Sequence, residues 1–336
     1  MDVLLGKTLT ELQDVALSVG LQKFAGKQLA EWLYVRRVTS FDEMTNISLK
    51  GREALKANYT IGRRAPVKEA VSIDGTRKYL FQIGEQFVET VYIPEEDRTT
   101  LCVSTQAGCK MGCKFCMTGT LGFHGNLSAA DILNQIFYFD DLSNLVFMGE
   151  GEPMDNLDNV LRALEIMTAP YGLAWSPKRI TVSTVGIPAM KRFLDESECH
   201  VAVSMHNPFA VERVQIMPAE KLFSITEVVN LLKQYDFSHQ RRVSFEYICW
   251  AGQNDTMRHA KELLRLLKGL NCRINLIRFH AGVEDIKNER RFPASDEKQM
   301  EFLRDYLTEH GLTTTIRRSR GEDILAACGM LVNSLQ

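Results

Sequence analysis

Three cysteines fall within eight residues, in the string Gly108-Cys109-Lys110-Met111-Gly112-Cys113-Lys114-Phe115-Cys116. The spacing C-x3-C-x2-C places three thiolates on one tight loop, enough for three corners of a cubane iron–sulfur cluster. The remaining iron of such a cluster has no protein ligand and is open to a substrate or cofactor. Zinc is the alternative, and it needs a fourth ligand that Cys102 or His124 could supply. Three clustered thiols with only a structural role are a third reading. The other five cysteines, Cys102, Cys199, Cys249, Cys272 and Cys328, are scattered. A secreted disulfide framework would be spaced differently, whereas a tight cluster in a chain without a leader points to metal or redox chemistry.

The cluster loop needs a scaffold, and the pattern around it supplies one. From about residue 99 onward, β-rich stretches alternate with helical periodicity. The stretches are Thr99 to Ser104, Leu145 to Phe147, Arg179 to Ser183, Val201 to Ser204, Val243 to Ile248, Ile274 to Ile277 and Thr313 to Ile316. Leu263, Leu264 and Leu267 follow the start signal Asn254-Asp255, and Met300, Leu303, Tyr306 and Leu307 line one face before Gly311. Strand-then-helix repetition predicts parallel strands with crossover helices, an α/β fold. Six or seven repeats are too few for a closed eightfold barrel and suit a partial (β/α)6 barrel. Chemistry in that architecture sits at the carboxyl ends of the strands.

Two other regions precede the core at 96–336. Residues 1–60 read as a separate helical domain, with a capping box at Thr8 and Glu11, a stop at Gly20, a helix through Leu29, Trp32 and Leu33, and another from Lys50 to Asn58. Trp32, Tyr34 and Phe41 suit its core. Residues 61–95 alternate apolar and polar positions around Asp74-Gly75, which predicts short antiparallel strands acting as a connector.

Composition narrows the class. Among 336 residues, 40 Lys and Arg nearly balance 42 Asp and Glu, leaving a formal charge of −2, so the chain is not a uniformly basic nucleic-acid coat. The hydrophobic share of 45% and charged share of 24% are ordinary globular values. No apolar run approaches a membrane span, and Met1 to Thr10 carries no secretory leader, so the expectation is a cytoplasmic protein with no membrane partner. Basic residues nevertheless gather at Arg36-Arg37, Lys50, Arg52, Lys56, Arg63-Arg64 and Arg317-Arg318-Ser319-Arg320. Such patches can bind phosphates without a basic average, or be solvated helix faces.

The cysteine loop resembles the cluster motif of radical S-adenosylmethionine (SAM) enzymes, and the wider string CVSTQAGCKMGCKFC resembles the RlmN/Cfr family of RNA adenosine methyltransferases. The similarity spans nearly the whole chain in order: KQLAEWLYVRRVTSFDEMTNIS, FVETVYIPEEDRTTLC, MGEGEP, ITVSTVGIP, VSMHNP, NLIRFH and RGEDILAACG. It implies a radical SAM barrel with a [4Fe-4S] cluster on Cys109, Cys113 and Cys116, and SAM chelating the open iron. It also implies RNA contact by the N-terminal domain.

The remaining assignments follow from that resemblance, each beside a plainer reading. Gly151 and Glu152 would bind SAM; alone, Gly151-Glu152-Pro153 is a turn with a surface Glu. Ser183, Ser204, Met205, His206 and His280 would be further SAM contacts, or else satisfied polar groups and packing at strand ends. At His280, RlmN proteins typically carry Asn. Cys328 and Cys102 would be the reactive pair: Cys328 carries a methyl group that becomes a methylene bridge to adenine, and Cys102 releases the product by forming a disulfide. Without the resemblance both are buried free thiols, as Cys199, Cys249 and Cys272 are in any case. Glu89 would be a proton acceptor, although its alternation with Val88 and Val91 fits a solvent-facing strand residue.

The implied substrates are 23S ribosomal RNA and certain tRNAs, methylated at carbon 2 of adenosine by a monomer with an external electron donor such as flavodoxin. A Cfr-like carbon 8 methyltransferase is the alternative, favoured by the Asn275 to His280 string. A zinc-stabilised RNA-binding protein is a more distant one. No second cysteine motif exists to hold the additional cluster of a methylthiotransferase.

Overall fold

The structure, a computed structural model, describes residues 1–239, 241–280 and 292–331. The N-terminal region holds β1 (Asp2–Val3), α1 (Leu9–Ser18), α2 (Ala25–Ala30), a π-helical turn over Glu31–Val35, α3 (Leu49–Asn58) and β2 (Tyr59–Thr60). Thr8 and Glu11 close the expected capping box, with the Thr8 amide donating to Glu11 Oε2 at 2.7 Å and the Glu11 amide to Thr8 Oγ1 at 3.4 Å. Trp32, Tyr34 and Phe41 are buried with Leu12, Leu29 and Leu55. The parallel pairing of β1 with β2 escapes sequence reading, because two residues carry no periodicity.

The core begins with β3 (Lys68–Val71), β4 (Arg77–Ile83), β5 (Gln86–Pro94) and β6 (Thr99–Cys102). A small hairpin, β7 (Gln106–Gly108) and β8 (Phe123–Asn126), brackets the cysteine loop. Then follow α4 (Ala129–Phe137), β9 (Asn144–Phe147), α5 (Leu157–Thr168), β10 (Ile180–Thr184), α6 (Met190–Glu196) and β11 (His200–Ser204). The chain continues through α7 (Ala210–Ile216), α8 (Ile225–Leu232), β12 (Val243–Cys249), α9 (Met257–Leu267), β13 (Cys272–Arg278), α10 (Glu297–Glu309) and β14 (Thr314–Ile316).

All seven strands expected from the alternation form, in the order β6-β9-β10-β11-β12-β13-β14, and every neighbouring pair is parallel. Six crossovers and a last strand make the partial (β/α)6 barrel. The β connector is not separate from it. β5 pairs antiparallel with β6, with Val91 opposite Cys102, so β3, β4 and β5 extend the same sheet to ten strands.

The two faces of the parallel strands differ in kind. Ile180 and Val182 of β10, Phe245 and Tyr247 of β12, and Ile274 and Leu276 of β13 are wholly buried in the core. Thr181, Ser183, Ser244, Arg273 and Asn275, at the alternate positions, stay partly exposed on the other face. The period of two along a strand therefore separates an aliphatic face from a wet, polar one.

Basic residues read as possible phosphate contacts instead dock the N-terminal domain. Arg63 donates to the carbonyls of Arg37 and Phe137, both at 2.8 Å. Arg37 donates to the Phe139 carbonyl at 2.7 Å and pairs with Asp140 at 2.9 Å, and Arg64 pairs with Asp131 of α4 at 3.0 Å. Among the described residues no helix is long and apolar enough to cross a membrane. Arg63→Ala is expected to cost about 1.5–3 kcal/mol, the range for hydrogen bonds from a charged donor. Hydrogen exchange should then quicken across α1 to α3 while the parallel strands keep their protection.

Candidate active site

The cysteine loop leaves the sheet after β6 and returns through β8 into α4. Gly108 turns it with φ +70°, and a Cβ there would lie 1.9 Å from the Gly122 carbonyl oxygen, so only glycine fits. The Cys109 amide donates to that carbonyl at 2.8 Å, and the Lys114 amide to the Ile216 carbonyl at 2.9 Å. Lys110 pairs with Asp155 at 2.9 Å.

Cys109, Cys113 and Cys116 border one cavity of about 140 Å³. Burial raises all three thiols, Cys109 to about 12, and the neighbouring sulfurs raise Cys113 further. Left alone they hold their protons; coordinated iron is the kind of group that removes them. Among the described residues no three His, Cys, Asp or Glu side chains converge where a single metal ion would sit. A cubane takes one thiolate per iron, so its three sulfurs surround a volume rather than a point. The donor set suits the cluster in chemistry and in placement.

The opposite wall of this cavity comes from the carboxyl ends of β9, β10 and β11. Gly151, with φ +95°, lies so close to Gln106 that a Cβ would approach its Cβ to 2.5 Å. Its neighbour Glu152 is not a surface residue. It is 2% exposed, its Oε1 accepts the Met154 amide at 3.0 Å, and its Oε2 accepts the Val185 amide at 2.9 Å. Burial pushes its carboxyl up to about 7, so a cationic ligand alongside would favour the ionised form.

Ser183, Ser204 and His206 line the same cavity. His206, at φ +56°, accepts the Ile248 amide on Nδ1 at 3.0 Å and packs edge-on against Phe115 at 4.6 Å. Burial and then Arg213 push it down to about 3, so it is neutral, with the proton on Nε2. Met205 and His280 are placed elsewhere. The Met205 side chain is wholly buried in the core, and His280 borders a second cavity, with Nε2 2.6 Å from Ser319 Oγ.

That second cavity measures about 580 Å³ and occupies the polar side of the barrel. Cys102 and Cys328 both line it, and Cys328 also lines the cluster cavity. Cys102 is buried, which together with the nearby Cys328 raises its thiol to about 12, against the opposing effects of the Met148 amide and Arg317. Cys328 is exposed. Arg317, which sequence reading assigned to a phosphate patch, instead reaches inward: it pairs with Glu246 at 3.2 Å and donates to Met148 Sδ at 3.6 Å.

The segment carrying Cys328 is held on both sides. Met117 and Thr118 of the cysteine loop donate to the carbonyls of Gly329 and Leu331 at 2.8 and 2.9 Å. From the connector, Asp74 accepts the Gly321 amide at 3.0 Å, while Asp323 in return accepts Ser72 Oγ and the Ile73 amide. Lys78 donates to the Leu325 carbonyl at 3.2 Å and pairs with Glu89 at 3.0 Å, both side chains being wholly buried. Glu89 therefore differs from the solvent-facing residue its alternation suggests, and it borders neither cavity. Glu150, which accepts the Glu89 amide at 2.8 Å, is raised to about 8 by burial. Sequence reasoning missed Lys78, Glu150 and the buried Arg213; a charged residue inside an apolar strand pattern was the available signal for Lys78 only.

Residues 3–61 match the family model described as ribosomal RNA large subunit methyltransferase N-terminal domain, and residues 103–267 match the radical SAM superfamily. The chain is 59% identical over 340 residues to the probable dual-specificity RNA methyltransferase RlmN of Bacteroides fragilis (strain YCH46), covering 99% of this chain and 97% of that protein. It is 39% identical to the dual-specificity RNA methyltransferase RlmN of Geobacter sulfurreducens, over 98% of this chain and 92% of that one. A crystal structure of a radical SAM methyltransferase from Sphaerobacter thermophilus superposes with a TM-score of 0.91 at 34% identity, over 98% of this chain and 99% of that chain.

Two variants test this geometry. Gly151→Ala must displace Gln106 and with it Glu152, so SAM binding measured by calorimetry should weaken at least tenfold while the circular dichroism spectrum is kept. Arg213→Met leaves the buried Glu220 without its partner and is expected to cost about 3–5 kcal/mol, read from denaturant unfolding.

Proposed function

The chain belongs to the RlmN family of radical SAM RNA methyltransferases, and from that premise we propose that it methylates carbon 2 of an adenosine in 23S ribosomal RNA and in certain tRNAs. The observation that carries this reading is that Cys328 borders both cavities, one shared with the three cluster thiols and the other with Cys102. We assign a [4Fe-4S] cluster to Cys109, Cys113 and Cys116, and SAM to the cavity wall of Gly151, Glu152, Ser183, Ser204 and His206. Bound there, the two cofactors supply an electrophilic methyl group and, on reduction, a carbon-centred radical able to abstract hydrogen.

The rest of the chemistry belongs to the chain. Carbon 2 of adenine is electrophilic and does not attack an electrophilic methyl group, so the one-carbon unit needs a carrier of different reactivity. Cys328 is that carrier, exposed between the two cavities. Once the carbon bridges Cys328 Sγ and the base, and the adduct has given up its odd electron to an external acceptor and its carbon 2 proton to solvent, Cys102 thiolate attacks that sulfur. The carbon–sulfur bond breaks, the carbon takes a proton and leaves as a methyl group, and a Cys102–Cys328 disulfide remains for two external electrons to reopen. A thiol reductant suits that demand, and an external donor such as flavodoxin suits the electron that the cluster would need.

Arg317 supports the exchange by favouring the anionic form of the buried Cys102. Met205 contributes its carbonyl to the strand-end frame rather than a SAM contact, and His280 faces the larger cavity. Glu89 is paired with Lys78 and borders neither cavity. We therefore assign this buried pair to holding the Leu325 carbonyl and so positioning Cys328, rather than to accepting the ring proton.

Anaerobic turnover of reconstituted protein with SAM, reductant and unmodified ribosomal RNA or tRNA, followed by nucleoside mass spectrometry, tests the reading. 2-Methyladenosine is expected; 8-methyladenosine alone moves the protein to carbon 8 chemistry, and a colourless protein with stoichiometric zinc removes the radical reading. Cys328→Ala should abolish product at least 10³-fold. Cys102→Ala should instead trap RNA on the protein as a band that survives denaturing electrophoresis.

A further inference from the structure

The interior of a (β/α) barrel is ordinarily packed with layers of branched aliphatic side chains. Here many of the corresponding positions are polar, Thr100, Asn144, Thr181, Ser244, Asn275 and Thr315, and together with Val146, Ile277 and Glu246 they enclose open space of about 580 Å³. The cavity runs the full height of the sheet. At the carboxyl ends it is bordered by Cys102, Met148, Arg317 and Cys328; at the amino ends it is bordered by Arg98, Lys178, Arg242 and Arg273.

Those four cations are set by the register of the sheet. Arg98 directly precedes β6, Lys178 lies two residues before β10, Arg242 directly precedes β12, and Arg273 is the second residue of β13. Between them His200, the first residue of β11, is held down at about 4, by burial and then by Arg242, Arg273 and Lys178. The mouth is thus a place of positive potential. Arg98 is paired with Glu95, but among the described residues Lys178, Arg242 and Arg273 pair with no carboxylate. With strands about 4.8 Å apart, the run from β10 to β13 spans roughly 14 Å, enough to meet successive phosphates of one strand.

We propose that the RNA enters the barrel through its amino-terminal mouth: a single unpaired nucleotide occupies the polar lumen, and its flanking phosphates rest on Lys178, Arg242 and Arg273. This rests on the RNA methyltransferase reading and adds a direction to it. The cluster and SAM serve Cys328 from the carboxyl face, and the RNA reaches Cys328 and Cys102 from the opposite end. The uncharged lumen residues offer hydroxyl and amide groups to base edges, and the basic rim offers charge to the backbone.

The test uses the full-length protein and an unmodified RNA stem-loop carrying the target adenosine. The triple variant Lys178→Ala, Arg242→Ala, Arg273→Ala is compared with a control, Lys50→Ala, Arg52→Ala, on the N-terminal domain. Loss of three phosphate contacts should lower the slope of log affinity against log salt by about two, at roughly 0.7 per single-strand phosphate. RNA affinity should fall at least tenfold, with SAM affinity unchanged within twofold. Wild-type affinity and slope in the triple variant would overturn the proposal, as would a loss confined to the control. Should the triple variant not fold, a photoreactive phenylalanine at Lys178 gives the second reading: crosslinks to nucleotides flanking the target support amino-end entry, and crosslinks absent there but formed by a probe at Lys50 refute it. If wild-type protein binds RNA at the mouth yet methylates none, the methyltransferase reading fails and the binding site stands.

Discussion

One buried guanidinium fixes the rim on which the site depends. Arg213 donates to the carbonyls of Met205, Ser204 and Val185 at 2.9, 2.8 and 2.7 Å and pairs with Glu220, which in turn accepts the Ile225 amide at the start of α8. Those carbonyls end two adjacent strands, and each strand end carries part of the cavity wall. Val185 holds Glu152 through its amide, and Ser204 and His206 lie on either side of Met205. A planar fork with several fixed donors can lock several carbonyls at once, which an ammonium cannot do. Its charge also acts at a distance, helping burial to lower His206 and partly opposing the burial that raises the Cys113 thiol.

The sheet meets two demands through its period of two. The helix-covered face buries aliphatic side chains continuously and supplies the stabilising burial. That frees the other face to stay polar and open, which an ordinary barrel interior does not permit. The open face then has a direction, because parallel strands present all their amino ends at one mouth and all their carboxyl ends at the other. The cluster-loop cavity lies at the carboxyl ends, the larger cavity runs from there down to the amino ends, and Cys328 lines both.

The sequence was most legible where periodicity and spacing carry the signal. All seven parallel strands and the capping box at Thr8 follow from local pattern, and the three thiols stand on one loop because their spacing leaves no alternative. It was less legible where a role depends on what lies across the fold. Arg63 and Arg317 read as surface charge, since nothing local tells that one meets the carbonyls of Arg37 and Phe137 and the other Glu246. Glu89 alternates like an exposed strand residue, and only the antiparallel pairing of β5 with β4 brings Lys78 to its carboxylate. Met205 and His280 sit inside motif strings whose neighbours face the cluster cavity, but the pleat turns Met205 into the core and His280 lies beyond the strand end.

The connector gains its meaning from the same long-range contacts. Read as a spacer, its turn at Asp74-Gly75 proves to hold the segment that carries Cys328. Asp74 accepts the Gly321 amide and Asp323 accepts Ser72 Oγ and the Ile73 amide across the junction, and although burial raises Asp74, bonds from Thr76, Gly321 and Ser72 hold it at about 2. A carboxyl ionised at every physiological pH keeps that grip independent of proton concentration. Gly321 and Leu325, both at positive φ, give the segment its bends between the grip and the thiol. A thiol that lines two cavities here sits on a short, bent segment with an anchored base. The acidic turn of the connector supplies the anchor, which is why this antiparallel extension belongs with the parallel core rather than between two other units.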